Sequence, residues 1–369
     1  MNRRNYLQIS GQLGAACLLA PLARAESLSL AKTEKPFIRL NANENPYGPS
    51  LRARKAIEQM LAQGNRYPDP VAQALQEEIA QKYSLAPEYV MLGAGSTEII
   101  QNIGLWALHQ KIPLIAGKPV FPVLAGLMKR QGGQVKEIPL NARKQHDLVK
   151  MQAALGSEKS LIYIVNPNNP TATTLDPQTL KDFCQSLAPR HYVLVDEAYL
   201  EYLPDAKSRT LVALVEQFPQ LMVLKTFSKI YGLAGLRIGY VLTHPDTRQA
   251  LIDYQAWPQA SLNGAGLAAA RASLGDEAFC QKSIQKNQEM LVFTKRLLDE
   301  LNIFHIPSQV NFLYMNIQAF KGDLGAEMRK HRIILRPFRD GSETWCRVSM
   351  GSLTDMQQFE KVMRKIWGG

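Results

Sequence analysis

The sequence predicts an α/β protein in which a large domain on a doubly wound, mostly parallel sheet precedes a smaller α/β domain. The chain has 369 residues, which is more than one simple hydrophobic core normally contains. Strand and helix patterns alternate from about residue 50 to about residue 245, and the runs "LIYIV", "YVLVD" and "LMVLK" are almost wholly apolar. Such runs are typical of strands buried on both faces of a parallel sheet, and the alternation is typical of doubly wound folds.

The individual elements follow in chain order. The segments "LRARKAIEQMLAQ" and "VAQALQEEIAQKY" have the apolar spacing of two helices, and Gly64 bounds the first. The segment "YVMLGAGSTEII" predicts a strand, a glycine turn and a helix that begins near Ser96. "IPLIAG" and "QVKEIPL" predict short strands, and the three apolar runs follow them. We therefore expect a large domain over residues 50–245 and a small domain over residues 246–369.

Composition and charge exclude several classes of protein. The formal net charge is +11, but basic and acidic residues are mixed along the chain. This mixing argues against nucleic-acid binding, while a modest positive excess suits anionic small molecules. No apolar run after the first 25 residues is long enough to span a bilayer, so we expect no stable membrane insertion. The cysteine spacing fits no metal site.

The first 25 residues resemble an export signal. Arg3 and Arg4, followed by Asn-Tyr-Leu, are typical of a twin-arginine signal, and Ala23–Ala25 form an A-x-A cleavage pattern. An N-terminal arm that belongs to the fold is the alternative. Cleavage near Ala25 would leave three cysteines, an odd number that argues against a full disulfide framework. The sequence thus predicts a periplasmic protein exported by the twin-arginine machinery.

Three predicted strands each stop at a polar side chain. Asn169 follows the first, Asp196 ends the second and Lys229 follows the third. Ligands of open parallel sheets bind beyond the carboxyl ends of the strands, so these side chains can converge on one ligand. In "GAGSTE", a glycine turn before a helix at Ser96 predicts an anion site at the helix N-terminus. The turn is neither G-x-G-x-x-G nor a P-loop, which argues against dinucleotides and ATP.

Pyridoxal 5′-phosphate fits all of these groups. A lysine forms an imine with its aldehyde, and an aspartate keeps its pyridine nitrogen protonated. Asparagine and tyrosine can hydrogen-bond the ring oxygen, while hydroxyls and an arginine near the lysine complete the phosphate site. The sequence therefore predicts this cofactor.

Seven ordered motifs then carry a family resemblance: "NENPYG", "RYPD", "GAGSTE", "NPNNPT", "VDEAY", "TFSKIYGLAGLRIGY" and "CRVSMG". On these motifs the chain resembles the fold-type-I, pyridoxal-phosphate-dependent aminotransferases of class I/II, and specifically the histidinol-phosphate aminotransferase family. The resemblance runs from "LNANENPYGPS" to "CRVSMGS", which is nearly all of the chain after the signal. It implies PLP fold type I and a homodimer.

The resemblance also implies roles for single residues. Lys229 corresponds to the imine-forming lysine and proton carrier, and Asp196 to the partner of the pyridine nitrogen. Tyr199 and Asn169 correspond to the donors to the ring oxygen, and Phe121 to the aromatic residue stacked on the ring. The phosphate ligands would be Gly95, Ser96, Thr97, Thr226, Ser228 and Arg237.

Four further residues concern the substrate and the dimer. Arg347 corresponds to the arginine that binds the acidic group of the substrate. Tyr67 would reach the cofactor phosphate of the neighbouring subunit. Residues 26–49 would form an N-terminal arm over the active site, with Asn45 and Tyr47 near the substrate.

The predicted function is transamination between an amino acid, or an amine resembling one, and a 2-oxo acid. Because the signal predicts export, we expect a role on a secreted metabolite such as a siderophore precursor. Three alternatives remain open at this point: a histidinol-phosphate aminotransferase proper, a decarboxylase on the same fold, and a non-catalytic protein that binds the cofactor or an amino acid.

Overall fold

The strands of the main sheet form from the apolar runs that the sequence singles out. The computed structural model describes residues 36–367, so the predicted signal and the first part of the arm lie outside the described residues. The strands are β1 (Ile38–Arg39), β2 (Val90–Gly93), β3 (Leu114–Lys118), β4 (Val135–Pro139), β5 (Leu161–Val165), β6 (Tyr192–Asp196), β7 (Leu221–Thr226), β8 (Gly239–Thr243), β9 (His305–Ile306), β10 (Phe312–Asn316), β11 (Ile333–Ile334), β12 (Arg336–Asp340) and β13 (Glu343–Ser349).

The helices separate these strands as the alternating pattern predicts. Short 3₁₀ helices lie in some of the connecting segments. The helices are α1 (Leu51–Leu61), α2 (Asp69–Lys82), α3 (Ser96–His109), α4 (Val123–Arg130), α5 (Leu148–Ala153), α6 (Pro177–Leu187), α7 (Ala206–Arg209), α8 (Pro245–Ile252), α9 (Gly264–Leu274), α10 (Glu277–Glu300), α11 (Leu324–Lys330) and α12 (Leu353–Trp367). Within the described residues, no helix combines the length and apolarity needed to span a membrane.

The main sheet has seven strands in the order β2-β8-β7-β6-β5-β3-β4. β8 runs antiparallel to both of its neighbours, and the other pairings are parallel. The prediction of a large, mostly parallel sheet is therefore confirmed. β5, β6 and β7 lie side by side at its centre, so their carboxyl ends meet at one edge.

Both faces of the central strands are covered by helices. On β5, Ile162 and Ile164 pack into one core with α1, α2 and α6, while Leu161 and Tyr163 pack into another with α3 and α4. Alternate residues of a strand point to opposite faces, so a strand covered on both sides has no position for an exposed polar residue. This burial explains the uninterrupted apolar runs.

The C-terminal part forms a second core. β12, β13, β10 and β9 make an antiparallel sheet of four strands, which packs against α10 and α12. The arm belongs to this core through Leu40, and β1 pairs in parallel with β11. The N-terminal arm and the C-terminal part of the chain are thus held together.

The predicted division at residue 245 stays a prediction, and the described residues from Ile38 onward form one compact unit. Side chains after that position still pack on the main sheet: Leu251 of α8 joins one of its cores, and Leu267 and Ala270 of α9 join the other. Met290 of α10 belongs to the C-terminal core. The change from one core to the other therefore falls within α10.

Candidate active site

The carboxyl ends of the three central strands carry the predicted polar residues. Asp196 is the last residue of β6 and lies opposite Val165 of β5 and Leu224 of β7. Asn169 follows β5 and Lys229 follows β7 within a few residues. The structure thus brings these side chains to one edge of the sheet, as the strand pattern indicates.

Asp196 is a buried carboxyl group between neutral hydrogen-bond donors. Its carboxylate accepts from the Tyr163 hydroxyl and from the Ala198 backbone N–H, each at 3.1 Å. Burial raises the pKa of Asp196 to about 6, although these hydrogen bonds and the charge of Lys229 act to lower the pKa. A buried carboxylate is stabilised by a cationic partner, so this position suits the protonated nitrogen of a bound ring.

A buried ion pair connects β7 to the segment that follows β6. Lys225 of β7 contacts Glu197 at 2.8 Å and Glu201 at 3.1 Å. Burial alone would lower the pKa of Lys225, but the two carboxylates outweigh it and raise the pKa well above its usual range. The pair thus connects β7 to the segment that directly follows Asp196.

Tyr199 lies at the centre of the polar cluster. Its hydroxyl accepts from the Asn43 side-chain amide at 3.0 Å and from the Asn169 side-chain amide at 3.2 Å. Its ring meets the ring of Phe312 at an edge, with 5.0 Å between centroids. The Lys229 ammonium lies 5.5 Å from the centroid of the Tyr199 ring, so the predicted lysine and tyrosine are neighbours.

Lys229 also contacts the arm. Its Nζ donates to the backbone carbonyl of Ala42 at 3.1 Å. The side chain is half-buried, in contrast to the fully solvated lysines typical of protein surfaces. Lys229 therefore lies inside the polar cluster, between Tyr199 and the arm.

The glycine turn before α3 forms a cradle together with Arg237. Gly95 has a φ of 76°, and a Cβ there would lie 2.3 Å from Nη2 of Arg237. Glycine therefore supplies both the left-handed backbone and the space for the guanidinium. Arg237 Nη1 lies 3.4 Å from the Ser228 hydroxyl, and Nη2 lies 3.5 Å from the Thr97 hydroxyl.

Hydroxyl groups from the end of β7 line the same cradle. The Thr226 hydroxyl donates to the Ser228 hydroxyl at 2.9 Å and accepts from the Ser228 backbone N–H at 3.1 Å. Together with Arg237 and the first turn of α3 at Ser96, these groups form a site rich in donors and positive charge. Such a site suits a phosphate group.

Arg347 reaches the cluster from β13 of the C-terminal sheet. Its Nη1 donates to the Asn169 side-chain carbonyl at 2.5 Å, and its Nη2 donates to the Asn41 backbone carbonyl. Its Nε is buried without a protein partner, and burial lowers the pKa of the guanidinium. Arg347 thus retains donor capacity that an anionic group could satisfy.

The structure shows the surroundings of the remaining predicted residues, and their roles stay predictions. The Asn45 amide donates to the Ile230 backbone carbonyl at 2.8 Å and to the Ser283 hydroxyl at 3.1 Å, so it anchors the arm. Tyr47 is partly exposed, and burial raises its pKa. Phe121 packs against the apolar core on one face of the sheet. Tyr67 is 69% exposed, and its ring lies 5.3 Å from that of Trp257.

Two residues of the cluster were not singled out from the sequence. Asn43 is fully buried in the arm and contacts Tyr199. Tyr163 contacts Asp196 from within β5. A tyrosine in an otherwise aliphatic strand was a visible signal, because a buried hydroxyl needs a partner. The contact of Asn43 joins residues 156 positions apart, and no local pattern indicates it.

Comparison with known proteins gives a consistent result. The family model "Aminotransferase class I and II" matches residues 35–366. A histidinol-phosphate aminotransferase of Caldicellulosiruptor saccharolyticus is 32% identical over 352 residues, covering 94% of this chain and 98% of the relative. One of Bacillus licheniformis is 32% identical over 358 residues, covering 97% and 99% of the two chains.

A solved structure has the same fold. The crystal structure of histidinol-phosphate aminotransferase from Sinorhizobium meliloti, in complex with pyridoxal-5′-phosphate, superposes with a TM-score of 0.82 at 24% identity. The alignment covers 95% of this chain and 96% of that chain. The two structures therefore share their architecture along nearly the whole length.

Proposed function

This chain belongs to the class I and II aminotransferases and is a pyridoxal 5′-phosphate-dependent aminotransferase, and we propose that Lys229 is its proton-transferring residue. The observation that carries this proposal is the convergence of Lys229, Asp196 and the Arg237 cradle at one edge of the sheet. Each of these groups matches one part of the cofactor.

The residues present fit the cofactor. Gly95 leaves the room that Arg237 needs in the cradle, and donors surround that position as a phosphate requires. Asp196 is a buried carboxyl whose two hydrogen bonds come from neutral groups, so a ring nitrogen with its proton would supply a hydrogen-bonded cationic partner. The cofactor therefore suits the electrostatics at both of its ends.

Each side chain of the site would have a separate role in transamination. When bound, the cofactor supplies an aldehyde that takes up the donor's amino group and a ring that accepts electrons from the Cα–H bond. The Asp196 carboxylate would hold a proton at the ring nitrogen, and Tyr199 and Asn169 would orient the ring through its oxygen. Lys229 Nζ would remove the proton from Cα of the amino donor and hold it for its return, which requires a neutral amine. Arg347 binds an acidic group of the amino donor.

We propose histidinol phosphate as the amino donor to test first, with a 2-oxo acid as acceptor. The relatives at 32% identity are histidinol-phosphate aminotransferases. A planar guanidinium with free donors recognises a phosphate as well as it recognises a carboxylate. A secreted amine such as a siderophore precursor is the second candidate, and only the export pattern at Arg3 and Arg4 supports it.

The test is an assay of the purified protein loaded with pyridoxal phosphate. Histidinol phosphate and a panel of amino acids are offered with 2-oxoglutarate, and both oxo-product and carbon dioxide are measured. Transamination gives oxo-product that depends on the acceptor, whereas a decarboxylase releases carbon dioxide without one. A protein that binds the cofactor without turnover gives neither product.

Lys229→Ala separates catalysis from cofactor binding. We expect the variant to lose turnover while the Arg237 cradle retains part of the cofactor affinity. Lys181, in the exposed surface of α6, offers the matched control Lys181→Ala, which should behave like the parent. Unchanged turnover in Lys229→Ala would overturn the assignment.

A further inference from the structure

The backbone of Asn43 is held by hydrogen bonds at both its N–H and its carbonyl group. It is fully buried and has a φ of 54°. Its backbone N–H donates to the Ser349 hydroxyl at 2.8 Å, and its carbonyl accepts from the Asn311 side-chain amide at 3.0 Å. These bonds fix the backbone from which the Asn43 side chain extends to Tyr199.

The partners of two carboxamides determine which end of each faces Tyr199. An amide oxygen only accepts and an amide nitrogen only donates, so the network assigns the orientation. Arg347 can only donate, and it bonds Asn169 Oδ1 at 2.5 Å, which directs Asn169 Nδ2 at the phenol. The Ser349 hydroxyl accepts from the Asn43 backbone N–H and donates its own hydrogen to Asn43 Oδ1 at 2.9 Å, and in this arrangement Asn43 Nδ2 faces the phenol as well.

Tyr199 therefore receives two N–H bonds on one oxygen. A phenol has one hydrogen to donate, and neither amide nitrogen can accept it. We propose that Asn43 is a positioning residue: with Asn169, it fills the acceptor positions of Tyr199 and directs the hydroxyl hydrogen at the ring oxygen of the bound cofactor. This inference rests on the proposed function.

Charged groups surround Tyr199 and must be separated from this effect. Lys229 faces its ring at 5.5 Å, Arg347 approaches through Asn169, and Asp196 lies three positions earlier in the chain. Asn43→Asp keeps the shape but reverses the hydrogen bond, because a carboxylate would accept the phenolic hydrogen. It also adds a charge, so a neutral variant is needed. Asn43→Gly suits the left-handed backbone and removes the amide.

The experiment follows the visible absorbance of the loaded protein as a function of pH. A hydrogen bond donated to the cofactor oxygen stabilises the deprotonated form of the bound cofactor. It therefore lowers the pH at the midpoint of the absorbance titration. We expect Asn43→Gly to raise the midpoint and Asn43→Asp to raise it further. The midpoint of Asn43→Asp should lie about one pH unit above that of the parent, which is about tenfold in proton affinity. Tyr199→Phe should raise the midpoint too, and adding Asn43→Gly to Tyr199→Phe should change nothing more.

Asn287→Asp is the matched control. Asn287 is a buried asparagine whose amide donates to the Val310 backbone carbonyl at 3.1 Å, so the change should lower the melting temperature and leave the titration midpoint unchanged. Equal midpoints for the parent and Asn43→Gly, or additive shifts in the double variant with Tyr199→Phe, would overturn the inference. A parent protein that takes up no cofactor would instead contradict the proposed function.

Discussion

Arg347 is a single residue that connects three parts of the chain, because it is anchored on β13 and bonded to both Asn169 and the arm. We predict that Arg347→Lys weakens kcat/KM for amino donors with a carboxylate or phosphate by about 10- to 100-fold, since one charge-assisted hydrogen bond contributes about 1.5–3 kcal/mol. An amine without an acidic group serves as the control substrate and should be affected much less. Equal losses on both substrates would show a general structural defect.

Two other buried residues set the pH dependence of stability in opposite directions. Burial raises the pKa of Asp196 from 3.8 to about 6, so between these values the folded chain keeps a proton that the unfolded chain has lost. The free energy of unfolding therefore falls as the pH rises through this interval. Burial lowers the pKa of His146 from 6.5 to about 4, so there the unfolded chain binds the extra proton, and stability falls as the pH drops below about 6.5.

We predict that these opposing contributions to the free energy of unfolding partly cancel in the cofactor-free parent. Removing one of the two titrating groups should then expose the contribution of the other. Asp196→Asn should leave stability rising with pH between about 4 and 6, and His146→Gln should leave it falling. Each shift of about two units is worth about 3 kcal/mol. Urea unfolding at several pH values measures both slopes, and parallel curves for both variants and the parent would contradict the prediction.

At this scale, the sequence predicted the residues that end strands and missed those that approach from elsewhere. Asp196 was predictable because the end of a parallel strand is a defined position in the fold. Asn43 was not, since its partner Tyr199 is distant in the chain and the arm's path depends on the pairing of β1 with β11. The confirmed parts are the fold, the family, the enzyme class and the cofactor, while the roles of the site residues remain predictions.

At the scale of elements, the cradle depends on the approach of the loop before β8 to the turn before α3. We predict that Gly95→Ala weakens pyridoxal phosphate binding at least tenfold, because its Cβ would lie 2.3 Å from the Arg237 guanidinium. Gly132→Ala is the control, since Gly132 also has a positive φ, of 79°, but a Cβ there meets nothing within 4 Å. Titration of the cofactor-free proteins compares the two, and similar affinities would contradict the prediction.

The element boundaries show why the sequence predicted the sheet better than the helices that follow it. Strand and helix signals of the main sheet agree closely with the structure, as for the helix predicted near Ser96 and observed to begin there. The helices α8 and α9 come after β8, yet they return to cover the sheet. Alternation of patterns indicates the type of an element, but it does not indicate which core the element joins.

At the scale of the whole molecule, an exposed aromatic pair favours a homodimer. Tyr67 is 69% exposed and Trp257 is 56% exposed, and both rings are in contact. We predict a dimer in sedimentation experiments, and we predict that Trp257→Glu gives monomers that bind the cofactor more weakly, because Tyr67 would no longer reach a neighbouring site. Val149→Glu, at another exposed apolar residue, is the control. A fully active monomeric parent would contradict this prediction.

Export is the second prediction about the whole molecule. Arg3 and Arg4 lie in a pattern typical of twin-arginine signals. The twin-arginine route exports folded proteins, and a protein that binds its cofactor in the cytoplasm would need such a route. Replacing both arginines with lysine should leave a folded, active protein in the cytoplasm. Fractionation of cells that express the parent and the double variant measures this. A double variant still found in the periplasm would exclude the route.

The bond between Arg347 and the Asn41 carbonyl also sets an order in time. A ribosome makes Asn41 306 residues before Arg347. The arm must therefore wait, without this partner, until β13 has been synthesised, and the residues before β13 alone cannot close the site. We therefore expect the cofactor to be bound tightly only after β13 has been synthesised.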